Sequence, residues 1–455
     1  MCIRDRVASL QRDRASISLG QFHHETDGFR PNNDQRHNIY NAFFQYALTP
    51  KLNIQAEART RASEHGDIQL NFSKFGEDGL NDRSYYRREL NEQVARFGAR
   101  YSISPRQDLL FSTKYTARDE RIAFSKTDDP LRLDLSGLQI EAQHLLREKS
   151  FNSTLGGGTY DFGGIYDRNT IYTYTNTHLP RNITGTLGLS YDTFSSTVNT
   201  HIDKINPKIG LQWDMTDFFR LRAAWFKTTK SHIIAQQSLE PTQVAGFNQF
   251  FDEPNGTRAR RMGIGFDTRV ADKLFSGFEA SERDVKVPSA PASEEVLSKQ
   301  NEQLYRAYLY WLPHTFWAMR SEFQYEKLVH NGANTITNPD QIKTVSMPLS
   351  IEHFHPSGLF SRFTATFVKQ DLFLHGDHGR IRDPQKTASG IDSFFLLDYV
   401  IGYRLSNRRG ILSLEGKNLL DEAFYYRSSY LNLSEPVNPI FLPTRTLFLK
   451  LTMNF

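Results

Sequence analysis

The last fourteen residues of the chain, Leu442 to Phe455, alternate between apolar and mostly polar side chains. A period of two residues predicts a β-strand whose two faces differ in polarity, because successive side chains of a strand point to opposite faces. The apolar face would hold Leu447, Leu449, Leu451, Met453 and Phe455, and the other face Thr446, Phe448, Lys450, Thr452 and Asn454. The chain is therefore predicted to end in an amphipathic strand.

The same alternation recurs along the chain, interrupted in turn by short turns and by longer polar loops. The turns are rich in Pro, Asn, Asp and Ser, which tight turns favour. Nine hairpins, the first strand from Asp13 to Phe22 and the last strand give a prediction of twenty antiparallel strands, with both chain ends on the short-turn side. The nine turns are Thr49-Pro50-Lys51, Ser104-Pro105-Arg106, Glu148-Lys149-Ser150, Leu179-Pro180-Arg181, Asp214-Met215-Thr216-Asp217, Ala271-Asp272-Lys273, Leu312-Pro313-His314, Pro356-Ser357-Gly358 and Ser406-Asn407-Arg408.

Charged side chains decide which face of these strands meets which environment. In a soluble sheet the apolar face packs into a core, whereas in a membrane barrel it meets lipid and the polar face lines the interior. An Arg or Lys facing lipid near the midplane would cost roughly 2–4 kcal/mol, so the ionic strand positions must face inward. The sequence thus predicts an all-β fold, a transmembrane antiparallel β-barrel of about 20 strands. Its candidate lumen-lining residues are Arg96, Arg100, Lys114, Arg118, Arg220, Arg222, Arg306, Arg320, Glu322, Glu326, Arg404, Glu415 and Lys417.

Composition agrees with this fold and excludes others. The chain is 38% hydrophobic and 23% charged, and it has no apolar run near the ~20 residues that a transmembrane helix needs. Phe (34) and Tyr (20) are abundant, as in amphipathic strands. The net charge of +4 is small for this length and gives no reason to expect a nucleic-acid partner. Cys2 is the only cysteine, which excludes an internal disulfide and a Cys-based metal site.

The four tryptophans are predicted to lie in aromatic girdles at the two membrane interfaces. Trp213, Trp311 and Trp317 lie within a few residues of short turns. Trp225 lies about eight residues beyond its turn. For a tilted strand this places it roughly 19 Å from the short-turn end along the barrel axis, close to the other edge of a ~25 Å apolar band.

The first residues, Met1 to Arg6, lead into more charge without the apolar stretch of a secretory signal. We therefore expect residues 1–12 to be an artefactual or truncated N-terminal extension, and residues 13–455 to form the barrel.

Few residues suggest other chemistry. His375 and His378 lie in a predicted loop and are the candidates for metal ligands, but their spacing matches no recognised site. No nucleophile triad, carboxylate pair or metalloprotease motif is present, so the sequence predicts no enzyme and no cofactor.

A resemblance covers the C-terminus. Ser413 to Tyr425, which contains Asn418-Leu419-Leu420-Asp421, is followed by Pro443-Thr444-Arg445-Thr446 and a strand ending in Phe455. This stretch resembles the C-terminus of TonB-dependent outer-membrane receptors, in which an Asn-Leu-Phe-Asp-like turn leads to a "Pro-Gly-Arg" strand that closes the barrel and carries the assembly signal. Leu420 replaces the usual aromatic residue, and Thr444 replaces the usual glycine.

The resemblance implies a location in the bacterial outer membrane and uptake of a scarce small ligand. Its implied partners are lipid, the barrel-assembly machinery, which would bind the C-terminal strand with Phe455 as the assembly signal, and TonB through an N-terminal plug, which we expect to be missing from this sequence. The family barrel has 22 strands, so one hairpin would be missing.

Two alternatives remain open. Leu239 to Asp252 looks like a segment from receptor-like barrels fused behind tetratricopeptide repeats, which favours polymer export. A plugless diffusion porin would instead need a constriction loop folded into the lumen, and Lys230 to Gly256 is long enough to form one.

Overall fold

The computed structural model describes residues 2–68, 70, 85–124, 129–197, 200–230, 233–234, 237–249, 253–288, 297–331, 339–373, 390–428 and 441–453. None of the helical residues described forms a helix long and apolar enough to cross a membrane.

Most of the described residues belong to β-strands. Twenty-one strands form one antiparallel sheet in which each strand pairs with its neighbours in the chain, and two short strands, β13 and β14, form a separate hairpin. The all-β antiparallel architecture predicted from the sequence is thereby confirmed. The strands are β1 (Cys2–Arg12), β2 (Ala15–Thr26), β3 (Gln35–Thr49), β4 (Leu52–His65), β5 (Arg87–Ser104), β6 (Gln107–Ala123), β7 (Leu131–Arg147), β8 (Phe151–Phe162), β9 (Tyr166–Leu179), β10 (Ile183–Ser196), β11 (Thr200–Thr216), β12 (Phe219–Thr229), β13 (Gln243–Val244), β14 (Phe247–Asn248), β15 (Arg258–Ala271), β16 (Leu274–Pro288), β17 (Leu297–His314), β18 (Trp317–Asn331), β19 (Gln341–Phe354), β20 (Leu359–Phe373), β21 (Gly390–Leu405), β22 (Gly410–Lys417) and β23 (Thr446–Met453).

All nine predicted short turns join paired neighbouring strands. Just before five of them, the pairing shifts by one residue, as between Ala47 and Thr49. Such bulges are common at barrel rims, where they bend a strand as it ends. The short-turn end of the sheet is therefore a regular rim.

The sheet has one strand more than the twenty predicted. Residues Cys2–Arg12, which lie in the predicted N-terminal extension, form β1 and pair with β2 along its whole length. Because β1 runs toward the short turns, Cys2 lies at the long-loop end. The expectation that both chain ends lie on the short-turn side was wrong.

The two end strands of the sheet, β1 and β23, each pair on one side only among the described residues. They run in the same direction, because an antiparallel series with an odd number of strands begins and ends with parallel strands. The sheet is nevertheless strongly curved. At the long-loop end Leu70, beyond β4, packs in one cluster with Val368 of β20 and Phe394 of β21.

Candidate functional site

The two faces of the sheet have inverted polarity relative to a soluble protein. On the outer face large apolar side chains are exposed, for example Leu187 at 64% and Leu449 at 75%. On the inner face polar side chains are buried, and Gln139 and Gln370 are both 0% exposed. Because apolar surface of this extent is unfavourable in water, the outer face is suited to lipid and the inner face to a polar lumen.

Part of the lumen is filled by the chain itself. Residues 237–249, which we call the inward segment, belong to the connection between β12 and β15 and lie against the inner wall. The segment contacts Arg96 on β5 at one end and Gly263 on β15 at the other. These contacts span nine consecutive strands of the sheet (β5 to β12, then β15).

One end of the inward segment is held by hydrogen bonds from wall side chains. The carbonyl oxygen of Gln237 accepts from Lys114 Nζ at 2.5 Å and from Gln139 Nε2 at 2.9 Å. The carbonyl oxygen of Leu239 accepts from Gln143 Nε2 at 2.6 Å. The wall thus supplies the hydrogen bonds that a non-helical, non-sheet backbone would otherwise lack.

Glu141 on β7 is the centre of this network. Its carboxylate is 1% exposed, pairs with Lys114 at 3.0 Å and accepts a hydrogen bond from Tyr160 at 2.9 Å. It also accepts from Ser238 Oγ at 2.7 Å and from the backbone N–H of Leu239 at 3.0 Å. A buried carboxylate is stable only when it is paired and hydrogen-bonded, and here the inward segment supplies part of that set.

The middle of the segment carries a second buried carboxylate, Glu240. Tyr174 donates a hydrogen bond to it at 2.7 Å, and Arg168 lies 3.5 Å away. Burial raises the pKa of the Glu240 carboxyl, against the attraction of Arg168 and Lys208. Arg168 also pairs with Asp192 at 2.5 Å, so the guanidinium is shared between the wall and the segment.

The other end of the segment is an apolar hairpin. Val244 of β13 and Phe247 of β14 are 0% and 1% exposed, and the turn between them has positive φ at Ala245 (47°) and Gly246 (86°), as a two-residue type I′ turn requires. The cluster around them is formed by Tyr172, Tyr174, Ala224, Phe226 and Ala245.

Two wall glycines leave room for this hairpin. A Cβ on Gly210 would lie 2.8 Å from Ala245 Cβ, and a Cβ on Gly263 would lie 2.4 Å from Phe247 Cε1. The guanidinium groups of Arg222 and Arg261 lie 5.3 and 5.7 Å from the centre of the Phe247 ring. The hairpin is therefore fitted to the wall by shape and by cation–π contact.

Several of the predicted lumen residues lie beneath or beside the inward segment. Lys114 is 3% exposed and Arg222 is 14% exposed, paired with Asp267. Arg96 pairs with Glu57 at 2.7 Å and bonds Gln237 Oε1 at 2.5 Å. Arg118, by contrast, lies toward the long loops and shares Glu120 with Arg88.

The other predicted lumen residues lie on wall that the described part of the inward segment leaves uncovered. Their partners are Asp108 for Arg100, Asp214 for Arg220, Glu322 for Arg306, Gln324 for Glu326, Asp398 for Lys417 and Lys450 for Glu415. Arg404 packs over the rings of Phe354 and Phe360, and Arg320 is exposed. The structure does not bring these residues together in one cluster, and their role in conduction stays a prediction.

The four tryptophans lie on the outer face. Their cross-strand neighbours are apolar or aromatic: Ile183 and Leu221 for Trp213, Ile209 and Met262 for Trp225, Leu274 and Met319 for Trp311, and His353 for Trp317. Their girdle function stays a prediction.

The long-loop end of the lumen is narrowed by three connections. Arg30 and Asn33 of the β2–β3 connection bond Asp67 after β4. In the β22–β23 connection, Phe424 stacks on Phe394 of β21 with 4.0 Å between ring centres. The Arg427 backbone exchanges two hydrogen bonds with the Gln370 side chain, at 2.7 and 3.0 Å.

The C-terminal motif has a structural role in this fold. Asn418 has a φ of 47° and is 1% exposed, and its amide donates to the carbonyl oxygens of Glu422 and Leu442, both at 3.0 Å. Asp421 accepts from the backbone N–H of Arg445 at 2.8 Å. These bonds join the end of β22 to the start of β23, which explains the Asn and Asp of the motif, and the Arg445 side chain adds an ion pair with Asp421 at 3.8 Å.

Sequence reasoning predicted Arg96, Lys114 and Arg222 as lumen residues but missed the other residues that hold the inward segment, with Glu141 at their centre. A usable signal was present, since Gly210 and Gly263 occur inside strands, where glycine often marks a close approach of another backbone or side chain. The candidate metal ligands His375 and His378 and the terminal Phe455 lie outside the described residues. Among the residues that are described, no group of three or more His, Cys, Asp or Glu side chains could hold a metal.

No protein-family model matches the sequence, and no curated protein matches it. Solved structures do match the fold. The FrpB iron transporter of Neisseria meningitidis (F5-1 variant) gives a TM-score of 0.73 at 12% identity, covering 99% of this chain and 79% of that one. The ferric citrate transporter FecA gives 0.70 at 11% identity, covering 99% and 75%.

The ferric-catecholate import receptor Fiu of E. coli K12, in its closed form, gives a TM-score of 0.68 at 12% identity and covers 100% of this chain and 79% of that one. At such low identity these matches establish the fold and nothing finer. The resemblance to a TonB-dependent-receptor-like β-barrel is thereby confirmed as a resemblance of fold.

Proposed function

We propose that the chain is the barrel part of an outer-membrane receptor of the TonB-dependent type, which takes up a scarce ligand. The observation that carries this proposal is the inward segment. The inner wall holds this segment in the lumen by contacts that span nine strands. Such an arrangement suits a path that opens when a ligand binds better than it suits a permanently open channel. The similar transporters and receptors handle ferric chelates according to their names, so a ferric chelate is the first ligand to test.

The two faces of the sheet would serve different parts of this function. The apolar outer face provides solubility in lipid, and the inner face provides hydrogen-bonding groups along the path. The proposed partners are outer-membrane lipid, TonB acting through an N-terminal plug, and the barrel-assembly machinery acting on the C-terminal strand.

A second candidate is a diffusion pore that the inward segment narrows. A specific observation favours it: a porin of this kind needs a loop folded into the lumen, and the described part of residues 230–256 folds inward. The resemblance to repeat-coupled export barrels falls on the same residues, and no contact of the segment favours export.

The deciding experiment measures uptake in Gram-negative cells that produce the barrel together with its proposed N-terminal plug, with and without TonB. The receptor predicts uptake of a labelled ferric chelate that stops when TonB is absent. A diffusion pore predicts small-solute entry that is indifferent to TonB, together with steady conductance in planar bilayers. Recovery of the protein in the soluble fraction after cell fractionation would refute both.

A further inference from the structure

A cavity of about 330 Å³ lies between the inward segment and the wall of β3 to β6. We call it the wall niche. Its volume lies at the lower end of the ~300–1,000 Å³ range of small-molecule sites. Its polar lining includes Gln45, Asn53, Gln55, Arg96, Arg100 and Lys114.

The niche lies where two small residues face the lumen. Gly98 on β5 pairs in register with Ser112 on β6, so two small residues lie side by side on the inner face. The long side chains of Arg96 and Lys114 stand one row toward the loops, and Arg100 stands one row toward the short turns. Gln237 closes the loop side, so the niche lies between the inward segment and the short-turn end.

Arg100 is the cation of the niche that keeps unused donors. Arg96 pairs with Glu57 and bonds Gln237, and its Nε is buried away from the niche. Arg100 uses Nε and Nη2 on Asp108, which leaves its Nη1 group without a partner in the described residues. Guanidinium N–H groups suit carboxylates, because the planar fork matches two oxygens.

The opposite side of the niche is neutral and amide-rich. The side-chain amides of Gln45, Asn53 and Gln55 form no hydrogen bond within the described part of the chain. Each amide offers two donors and one acceptor, which suits hydroxyl groups. The carboxylates Glu57 and Asp108 are engaged by the cations, so unused donors outnumber acceptors in the lining.

We propose that the wall niche binds a small hydroxylated carboxylate, of the sugar-acid class. The carboxylate would meet Arg100, and the hydroxyl groups would meet the three amides. The proposed site adds a ligand subsite to the transport path, on the short-turn side of the inward segment. Its role in transport rests on the proposed function, whereas binding at the niche does not.

The test is isothermal titration of the purified barrel in detergent with galacturonate and with galactose, which differ by one carboxylate. We expect galacturonate to bind at least about ten-fold more tightly. Arg100→Met should remove that preference, and its fold should survive because Asp108 keeps Arg147 at 2.6 Å and Ser102 at 2.7 Å. Gln55→Met should weaken both sugars.

Arg362→Met is the matched control, because Arg362 lies on the far wall and is 43% exposed against 53% for Arg100. Equal affinity for the two sugars, or equal losses in Arg100→Met and Arg362→Met, would overturn the proposal. Because binding is measured without transport, galacturonate binding in a protein that fails the TonB uptake test would refute the proposed function and leave the niche standing. TonB-dependent uptake of a ferric chelate without galacturonate binding would support the proposed function and refute the ligand site in the niche.

Discussion

Gly263→Ala should release the inward segment from the wall of the barrel. The added Cβ would lie 2.4, 2.8 and 3.0 Å from three atoms of the Phe247 ring, far inside the ~3.5–4.0 Å of an ordinary carbon contact. The ring is 1% exposed and packs near the guanidinium groups of Arg222 and Arg261, so a shift of the ring would disturb its neighbours.

Overpacking of this kind costs roughly 1–3 kcal/mol. Applied to the equilibrium between docked and released segment, that cost raises the released fraction about five- to 150-fold. The strand hydrogen bonds of β15 do not depend on a side chain at position 263, so the barrel itself should remain assembled.

The assay uses Val244→Cys as a reporter in a Cys2→Ser background, because Val244 is 0% exposed and Cys2 is the only natural cysteine. The labelling rate with a membrane-impermeant maleimide should rise with the released fraction, and conductance in planar bilayers should rise with it. Heat-modifiable migration in gels reports whether the barrel is intact.

Gly185→Ala is the matched control, since a Cβ there has nothing within 4 Å. If Gly263→Ala labels no faster than Gly185→Ala while both barrels stay folded, the close fit of Phe247 against the wall is not what holds the segment.

Three further predictions follow from the same contacts. Glu141→Gln leaves Lys114 buried without its counter-charge, which costs about 3–5 kcal/mol, so the inward segment should become sensitive to added protease; unchanged protection would contradict the network. Asn418→Ala removes three side-chain hydrogen bonds, two with Glu422 and one with Leu442, and should lower the thermal midpoint of barrel unfolding by several degrees, at about 1 kcal/mol per bond, whereas Asn418→Gly tests the positive φ separately. Leu187→Arg on the outer face should destabilise the barrel in lipid by roughly 2–4 kcal/mol, and Leu179→Arg, beside a short turn, by at most about 1 kcal/mol; equal effects would argue against a lipid-facing surface.

Apart from β1 and the β13–β14 hairpin, the strands and their faces were determined by the sequence alone. Alternation with a period of two is local, because each residue of a strand points away from the last whatever the partner strand is. The C-terminal strand shows this: Leu447, Leu449 and Leu451 are exposed on the outer face as expected. The nine turns followed for the same reason, since turn residues act over three or four positions.

The inward segment was decided only by the tertiary structure. Glu141 and Leu239 are 98 residues apart in the chain, and the sequence around either residue does not predict a contact with the other. Their contact depends on how the connection after β12 folds back over the curved wall. Lys114 and Arg306 occupy similar inward positions of alternating strands. Lys114 is buried because the inward segment covers it, whereas the described part of the segment leaves Arg306 exposed.

The wall niche is likewise a product of register. Gly98 and Ser112 are small residues on two strands, and only their pairing side by side makes a recess. The sequence therefore determined which residues face inward, because that depends on neighbours in the chain. The structure decided which inward residues are covered, paired or left with free donors, because that depends on contacts between residues far apart in the chain.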